Sequence, residues 1–560
     1  MKALITNYNK NNKKTGGIMK RLFILFIGFI VPLQIFGQVW VARYDGSAHQ
    51  GDGAFAIAVD DSGNVYVAGA SGDTFAYPDY LTIKYNSAGD TVWVRKYDGP
   101  DNDGDNAYAI AVDKNGNVYV TGRSVGIGTY YDYATIKYNS AGDVVWVRRY
   151  DWGGGTGDKD DEASAIAVDD SGNVYVTGRA NGYVTIKYNS FGDSVWVSHY
   201  TGTGTGDTPF AHAITVDNNG NVYVTGESGY TDYATIKYNS FGDTVWVRTY
   251  SGTGKGYKNL KEYGHTKTKG LTWGGGGTGI AVDINGNVYV TGCITTGVYP
   301  YTDYATIKYN SVGDTIWTRR YYGPDSTRKD EATALAIDNN GNVYVTGKSY
   351  ASGNNPDYAT IKYNNSGDTM WVRRYNGPGN SYDWANSIAV DNIGNTYVTG
   401  RSCDTGTYYP DYVTIKYNSS GGEEWVQRYN GPGNDFDNAY SIAVDNKGYV
   451  YVTGDSYGFS SSGDDCTTIK YSCVGVEESN MKNQISNIQI FPNPFTQTTI
   501  IKLENSKLKE SKIQIYDICG RLVRTTNNNI LGEDLKKGVY FVKINDNKKL
   551  LKIIKIGGVK

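Results

Sequence analysis

From residue 38 to residue 471, apolar and polar positions alternate in short runs broken by Gly, Asn and Asp. One stretch shows the pattern. Residues 109–113, Ala-Ile-Ala-Val-Asp, read as a small apolar strand. Lys114-Asn115-Gly116 reads as a tight turn whose Gly suits positive φ, and 117–122 as a second strand. A loop then leads to a third strand at 134–139. Ser140-Ala141-Gly142-Asp143 turns the chain into a fourth at 144–150, which carries Trp146. This order predicts an antiparallel four-stranded meander. Residues 75–135 hold almost no sustained helical period.

The meander recurs eight times at a spacing of about 53 residues, stretched once by an insertion. Thr-Ile-Lys-Tyr places its Lys at Lys84, Lys137, Lys187, Lys237, Lys308, Lys362, Lys416 and Lys470. A Val-Tyr-Val-(Thr/Ala)-Gly string or close variant, and a Trp, recur with it. A lone meander cannot bury both faces, whereas many packed around an axis can. The expected fold is therefore all-β: an eight-bladed β-propeller with its small-residue strands innermost and its Trp strands outermost. The array begins with a Trp strand, 38–44, that has no preceding unit, and ends at Tyr471 without one. The N-terminal strand should complete the last blade, placing Trp40 beside Ile469 and removing two open edges. An open solenoid is the rival architecture, but it has no need of complementary ends.

Composition agrees: 71 Gly and 51 Tyr, against 4 Met and 4 His, suit strands and tight turns. The net charge of −3 conceals an asymmetry. Residues 1–37 hold six bases and no acid, 476–560 hold fifteen bases and eight acids, and the middle holds 33 bases against 49 acids. An acidic array repels phosphate backbones, so no nucleic-acid partner is expected. Lys20-Arg21, the apolar run 22–31 and the small-residue end at Gly37 have the order of a secretory signal peptide spanning 1–37. Residues 1–18 precede Met19 and read as a misassigned start; the alternative for the segment is an uncleaved anchor. The run is too short for a confident span, so no transmembrane segment is expected in the mature chain. Five cysteines make no disulfide framework; Cys403 and Cys466 occupy corresponding loops, leaving either a bridge or buried thiols. The expected boundaries are 38–474 for the propeller, 475–486 for a linker and 487–560 for a small C-terminal β-sandwich, immunoglobulin-like in form.

Strings such as Asn-Ala-Tyr-Ala-Ile-Ala-Val-Asp (106–113) and Gly-Asn-Val-Tyr-Val-Thr-Gly (116–122) resemble the SBBP β-propeller repeats of bacterial secreted proteins, across roughly 39–471. That family's name implies seven blades, whereas this chain holds eight full sets. Phe491-Pro492-Asn493-Pro494, Tyr516-Asp517-Ile518-Cys519-Gly520-Arg521, Gly538-Val539-Tyr540 and Lys552-Ile553-Ile554-Lys555 resemble the sorting domain of the type IX secretion system of Bacteroidetes. This second resemblance implies engagement with that machinery, passage across the outer membrane, and secretion or attachment at the cell surface. A plain accessory sandwich is the alternative.

In such a meander, the first and third turns lie on one side of the ring, and the second loop and the blade crossing on the other. The first set scarcely varies here and the second varies freely, so a unique site belongs on the irregular face. Ligand-binding candidates there are Tyr130, Tyr131, Trp152, Trp273, Tyr299, Tyr301, Trp384, Tyr408 and Tyr409, aromatic groups that suit sugar faces or extended peptides. Packing between loops is the plainer role for any one of them. Two recurrent Asp sets, Asp52, Asp105, Asp161, Asp330, Asp383 and Asp437, and Asp79, Asp132, Asp232, Asp303, Asp357, Asp411 and Asp465, suggest calcium or, more simply, carboxylates holding backbone N–H groups. No cofactor is otherwise implied. No histidine has a visible nucleophile partner, and the repeated Lys is structural by its repetition. The reading is a secreted or surface binding module for glycan or protein, with no catalytic residue assigned. A propeller enzyme acting on polysaccharide or peptide, or a structural component of a surface assembly, is the alternative.

Overall fold

The computed structural model describes residues 37–472, except 73–76, 154–159, 203–208, 229–231, 252–276, 296–300, 326–327, 352–354, 406–408 and 459–462. In the C-terminal segment it describes 488–491, 499–503, 513–517, 522–526, 530–531, 538–544 and 550–555. The expected signal peptide, up to residue 36, and the expected linker, 475–486, lie outside the described residues. Among the described residues no helix is long and apolar enough to cross a membrane.

Eight four-stranded antiparallel sheets follow one another as blades. Blade 2 is typical: Asp105–Val112 innermost, then Val118–Val125, Tyr131–Tyr138 and, outermost, Val144–Tyr150. Each inner strand packs beside the next, and the inner strand of blade 1, Asp52–Val59, packs beside that of blade 8, Asp437–Val444, so the ring closes. The C-terminal segment forms a three-stranded and a four-stranded antiparallel sheet.

Each blade is built by the residues that repeat. Gly116 adopts φ 76° in the first turn of blade 2. There Asp113 accepts the N–H groups of Asn115 and Asn117 and the hydroxyl of Tyr119. The same Tyr-to-Asp hydrogen bond occurs in all eight blades. Burial opposes ionisation of Asp113, yet these donors together hold its carboxyl below the ordinary range. The Gly that ends the second-strand string is required by close approach: a Cβ on Gly122 would lie 1.9 Å from the Asn106 carbonyl oxygen. Blades join through repeated contacts as well. Lys137 and Trp146 both donate to the Ser190 carbonyl of blade 3, and the Lys137 ammonium lies 5.2 Å from the Tyr119 ring centre. The repeated Lys is thus a structural group.

Blade 8 is completed by Gln38–Tyr44, which pairs antiparallel with Asp464–Tyr471. Val41 faces Ile469, and Trp40 faces Lys470, one position from the expected neighbour. Trp40 packs on Tyr85 of blade 1, ring centres 6.1 Å apart, and donates to the Ser87 carbonyl. Arg43 donates to Asp465 at 2.6 and 3.0 Å, to the Tyr429 hydroxyl of blade 7 at 2.9 Å, and to Ser456 Oγ and carbonyl oxygen. Burial works against the Arg43 charge, but Tyr429 and Asp465 more than restore it, and its pKa is raised. Arg149, Arg374 and Arg428 make the equivalent clamp with Asp132, Asp357 and Asp411, and Arg320 pairs with Asp303. For these members, the second Asp set therefore holds arginines, a correction to the reading that its carboxylates serve backbone N–H groups. The register explains the pairing, since the outer-strand Arg stands next to the third-strand start. Cys403 and Cys466 are both buried thiols.

Arg43→Ala leaves Asp465 buried without its ion-pair partner and should cost about 3 kcal/mol. Urea unfolding of the mature protein checks this: a midpoint unchanged from wild type would show that the N-terminal clamp does not hold the ring.

Candidate functional site

The loops of the irregular face hang on the first Asp set. Asp52, Asp105, Asp383 and Asp437 accept the backbone N–H groups of Gly46, Gly99, Gly377 and Gly431 at 2.5–2.7 Å. Asp161 accepts that of Trp152, and Asp330 those of Gly323 and Tyr350. Burial nevertheless pushes the carboxyls of Asp330, Asp383 and Asp437 up to about 6. One trio, Asp79, Asp98 and Asp105, brings carboxylate oxygens within 4.8 Å of one another among the described residues. Calcium takes about six to eight oxygens, and Asp105 is already engaged with Gly99, so the trio offers a partial set and no role is built on it.

The repeats stop repeating at one structural position. The residue after the second-strand Gly is Ala70, Arg123, Arg179, Glu227, Cys293, Lys348, Arg401 and Asp455 in blades 1 to 8. Where the register is continuous it faces an inner-strand residue that also varies, from Gly53 and Asn106 to Trp384 and Asn438. Both lie toward the irregular face, at the mouth of the axial channel. Their side chains pair across the two strands of one blade or reach to the next blade. Arg123 pairs with Glu162, which also meets Arg179 at 3.2 Å. The Arg179 guanidinium lies 5.5 Å from the Phe210 ring centre, and His212 meets Glu227 at 3.3 Å. Lys348 pairs with Glu331 at 2.7 Å and sits 3.6 Å from the Trp384 ring centre. Arg401 flanks the same ring at 4.7 Å and donates to Asn438 at 3.1 Å. Phe55 packs on Tyr108 and Tyr440, with centres 6.0 and 6.1 Å away.

Of the aromatic candidates, Tyr131 and Trp384 belong to this mouth. Tyr131 lies 4.1 Å from the Arg123 guanidinium, and Trp384 lies between two cations. Trp384 is the second residue of Asp383–Val390 rather than a loop residue, because Asp383 already starts the inner strand. Trp152 stands apart on its loop, 38% exposed and stacked on His199 with centres 4.1 Å apart. Tyr409, 44% exposed, packs edge-on against Phe436 at 5.1 Å, between blades 7 and 8. Tyr130 is 61% exposed, and Tyr301 is half-buried just before Thr302–Tyr309. Trp273, Tyr299 and Tyr408 lie outside the described residues. The loops thus present separate aromatic platforms around a charged mouth. The mouth residues were missed because they sit inside strands; variation directly after an almost invariant five-residue string was the signal for them.

An eight-bladed ring with one uniform and one individual face defines a repeat-built scaffold protein. Seven segments, 99–127, 146–184, 198–234, 277–297, 316–354, 371–402 and 424–459, match the Beta-propeller repeat family, SBBP. Residues 489–556 match the Secretion system C-terminal sorting domain. The chain therefore carries SBBP-type β-propeller repeats and a C-terminal type IX sorting domain. The seven segments fall outside blade 1, which the structure supplies as the eighth sheet. No curated protein matches the chain. Among solved structures, polysaccharide lyase Uly1 is similar at 13% identity and TM-score 0.38, over 77% of this chain and 91% of that one. XC5397, a gluconolactonase from Xanthomonas campestris, is similar at 12% identity and TM-score 0.27, over 55% and 85%. A protein of unknown function from Bacteroides caccae is similar at 13% identity and TM-score 0.29, over 53% and 90%. At these scores the likenesses carry no functional argument.

The raised loop-anchor carboxyls have a pH consequence. A folded-state pKa above the unfolded value means that the folded chain holds more protons between the two, so stability falls as pH rises through that window. The mature protein should resist urea better at about pH 5 than at about pH 8. Asp383→Asn with Asp437→Asn, which keeps an acceptor for each Gly N–H, should reduce that difference, with Asp330 left to supply part of it; an unaltered pH profile would contradict the assignment.

Proposed function

We propose that the protein is an exported carbohydrate-binding propeller whose ligand lies across the irregular face and the channel mouth. The observation that carries this reading is the confinement of individuality: charged and aromatic side chains that differ from blade to blade gather at one end of the channel. Exposed rings stand around them at Trp152, Tyr130 and Tyr409. Rings beside planar cations and carboxylates match the apolar faces and hydroxyl edges of sugars. Among the described residues the opposite face repeats the same first turn in all eight blades and offers no comparable unique feature. The cleft there between blades 2 and 3 is lined by Asp113, Tyr119, Lys137 and Asp169, residue types present in every blade.

The sorting domain implies export to the cell surface or secretion. In our reading, residues 1–37 direct passage of the inner membrane, 38–474 form the binding module, 475–486 link it and 487–560 engage the type IX machinery. A polysaccharide-acting enzyme is the second reading. It is favoured by Asp455, whose carboxyl burial pushes up to about 7 beside the Tyr440 hydroxyl. Product formation from a polysaccharide, abolished in Asp455→Asn, would select it.

An immobilised polysaccharide array probed with the mature protein tests the main reading. At least one glycan should bind, and Trp152→Ala or Tyr409→Ala should weaken it about tenfold, roughly 1.4 kcal/mol. Phe241→Ala, exposed on the uniform face, should leave binding unchanged. Retention that depends on Phe241 and not on the loop aromatics would overturn the proposal.

A further inference from the structure

Each inner strand breaks its ladder once, at a β-bulge that leaves a single residue outside the pairing. In blade 1 the break falls between Ala54 and Ala56, in blade 3 between Ala163 and Ala165, and it recurs at the same place in all eight blades. A bulge re-aims the side chain it carries. Here it does so on the strand nearest the axis, where neighbouring blades meet. The bulge residue lies two positions inward from the mouth residues Gly53 and Asn106, roughly 6–7 Å along the strand. Beyond it each strand returns to a near-uniform Ala-Ile-Ala-Val run. The bulge residues are therefore a ring of individual side chains, a waist just inside the mouth.

The waist has two unlike sides. In blades 3, 5, 6 and 7 its residues stitch adjacent inner strands together. Ser164 donates to the Ala211 carbonyl at 2.6 Å, Thr278 to that of Ala332 at 2.9 Å, Thr333 to that of Ala385 at 2.8 Å, and the Asn386 amide to that of Ala439 at 2.7 Å. Each hydroxyl spends its one hydrogen on the wall, so what it keeps for the channel is an acceptor. In blades 8, 1 and 2 the same position carries Tyr440, Phe55 and Tyr108. These rings pack on one another instead, Phe55 lying 6.0 Å from Tyr108 and 6.1 Å from Tyr440. In a closed ring of eight, blade 1 faces blade 5 and blade 2 faces blade 6. Phe55 thus stands across the axis from Thr278, and Tyr108 from Thr333. All eight side chains of the waist are partly exposed. Among the described residues their hydrogen bonds and ring contacts run around the wall, to the same or an adjacent blade, and none crosses the axis. The charges beside the waist are already taken. His212 meets Glu227, Arg123 next to Tyr108 pairs with Glu162, and Asp455 accepts the Tyr440 hydroxyl.

Stitching is the structural use of this position, and three aromatic rings in a row do not serve it. Ring faces opposite hydroxyl acceptors suit a body with one apolar face and hydroxyl donors on the other, which describes a pyranose. A passage walled on every side admits the end of a glycan and not its middle. We propose that the waist receives the terminal sugar of a neutral polysaccharide, end-on, with its apolar face on Phe55 and Tyr108 and its hydroxyls turned toward Thr278 and Thr333. The assignment rests on the carbohydrate-binding reading and specifies it: the body of the glycan lies over the irregular face while its end occupies the channel.

The test is calorimetric titration of the mature protein with maltohexaose, cellohexaose, laminarihexaose and a galacturonate hexamer. Each neutral hexamer is also used in two altered forms, one reduced to the alditol at its reducing end and one carrying an ethylidene acetal on its non-reducing sugar. At least one neutral hexamer should bind one to one, and one of its two end modifications should weaken binding about tenfold. Phe55→Ala should weaken the parent hexamer by a similar factor and abolish the sensitivity to that modification. Thermal unfolding is the folding control, and Phe55→Leu, which fills the space without a ring, should weaken binding too. Equal affinity for the parent and both altered forms, or binding untouched by Phe55→Ala but weakened by Trp152→Ala, overturns the channel site and leaves carbohydrate binding in place. Tighter binding of the galacturonate hexamer than of any neutral one overturns the neutral terminus. Failure of all four hexamers while the array retains some other glycan overturns this assignment alone, whereas an array that retains none removes the carbohydrate reading with it.

Discussion

The ladder between Gln38–Tyr44 and Asp464–Tyr471 pairs residues as far apart as Gln38 and Tyr471, and the remainder of the ring depends on it. Bringing such ends together costs about 5 kcal/mol in chain entropy, since the cost grows only with the logarithm of loop length. A strand's worth of backbone pairing, the Trp40 contact with blade 1 and the buried Arg43 cluster offset it. Without that pairing, blade 8 lacks its outer strand and blade 1 loses the Trp that packs on Tyr85. The repeated blade-to-blade contacts have their copies at this seam, where Lys470 and Trp40 both donate to the Ser87 carbonyl as Lys137 and Trp146 do to that of Ser190, so the seam decides whether the copies form a ring or an open stack.

Closure also explains why the two faces differ in kind. Repeated interactions, such as Tyr119 with Asp113 and Lys137 with the Ser190 carbonyl, fix the spacing of the blades and occupy the same positions each time. Those positions tolerate little change, because each packs against a neighbour made by the same rule. The loop crossings and the inner ends of the second strands are free of that rule. Their backbones are anchored by the first Asp set and by the glycine contacts, so side chains there change without disturbing the ring.

The fold was legible because the repeat states it eight times and the mismatched ends state the closure. The turn chemistry at Asp113 to Tyr119 and the role of Lys137 also followed from repetition. The site was only partly legible. Trp152 and Tyr409 were visible as loop aromatics, but Trp384 read as a loop residue while belonging to an inner strand. Arg123, Lys348, Arg401 and Asp455 went unnoticed because a strand pattern draws attention to what alternates, not to the single position where copies diverge. That Asp132 serves Arg149 rather than a backbone N–H depends on cross-strand register, which spacing along the chain does not reveal.

The sealing strand is the earliest part of the array to leave the ribosome, and its mate is the latest. Throughout synthesis it has no counterpart, so assembly proceeds with two unmatched borders until the eighth unit emerges. The same order leaves the half-made array exposed to pairing with neighbouring molecules, so escort during transit matters more for this architecture than for one that locks locally as it grows.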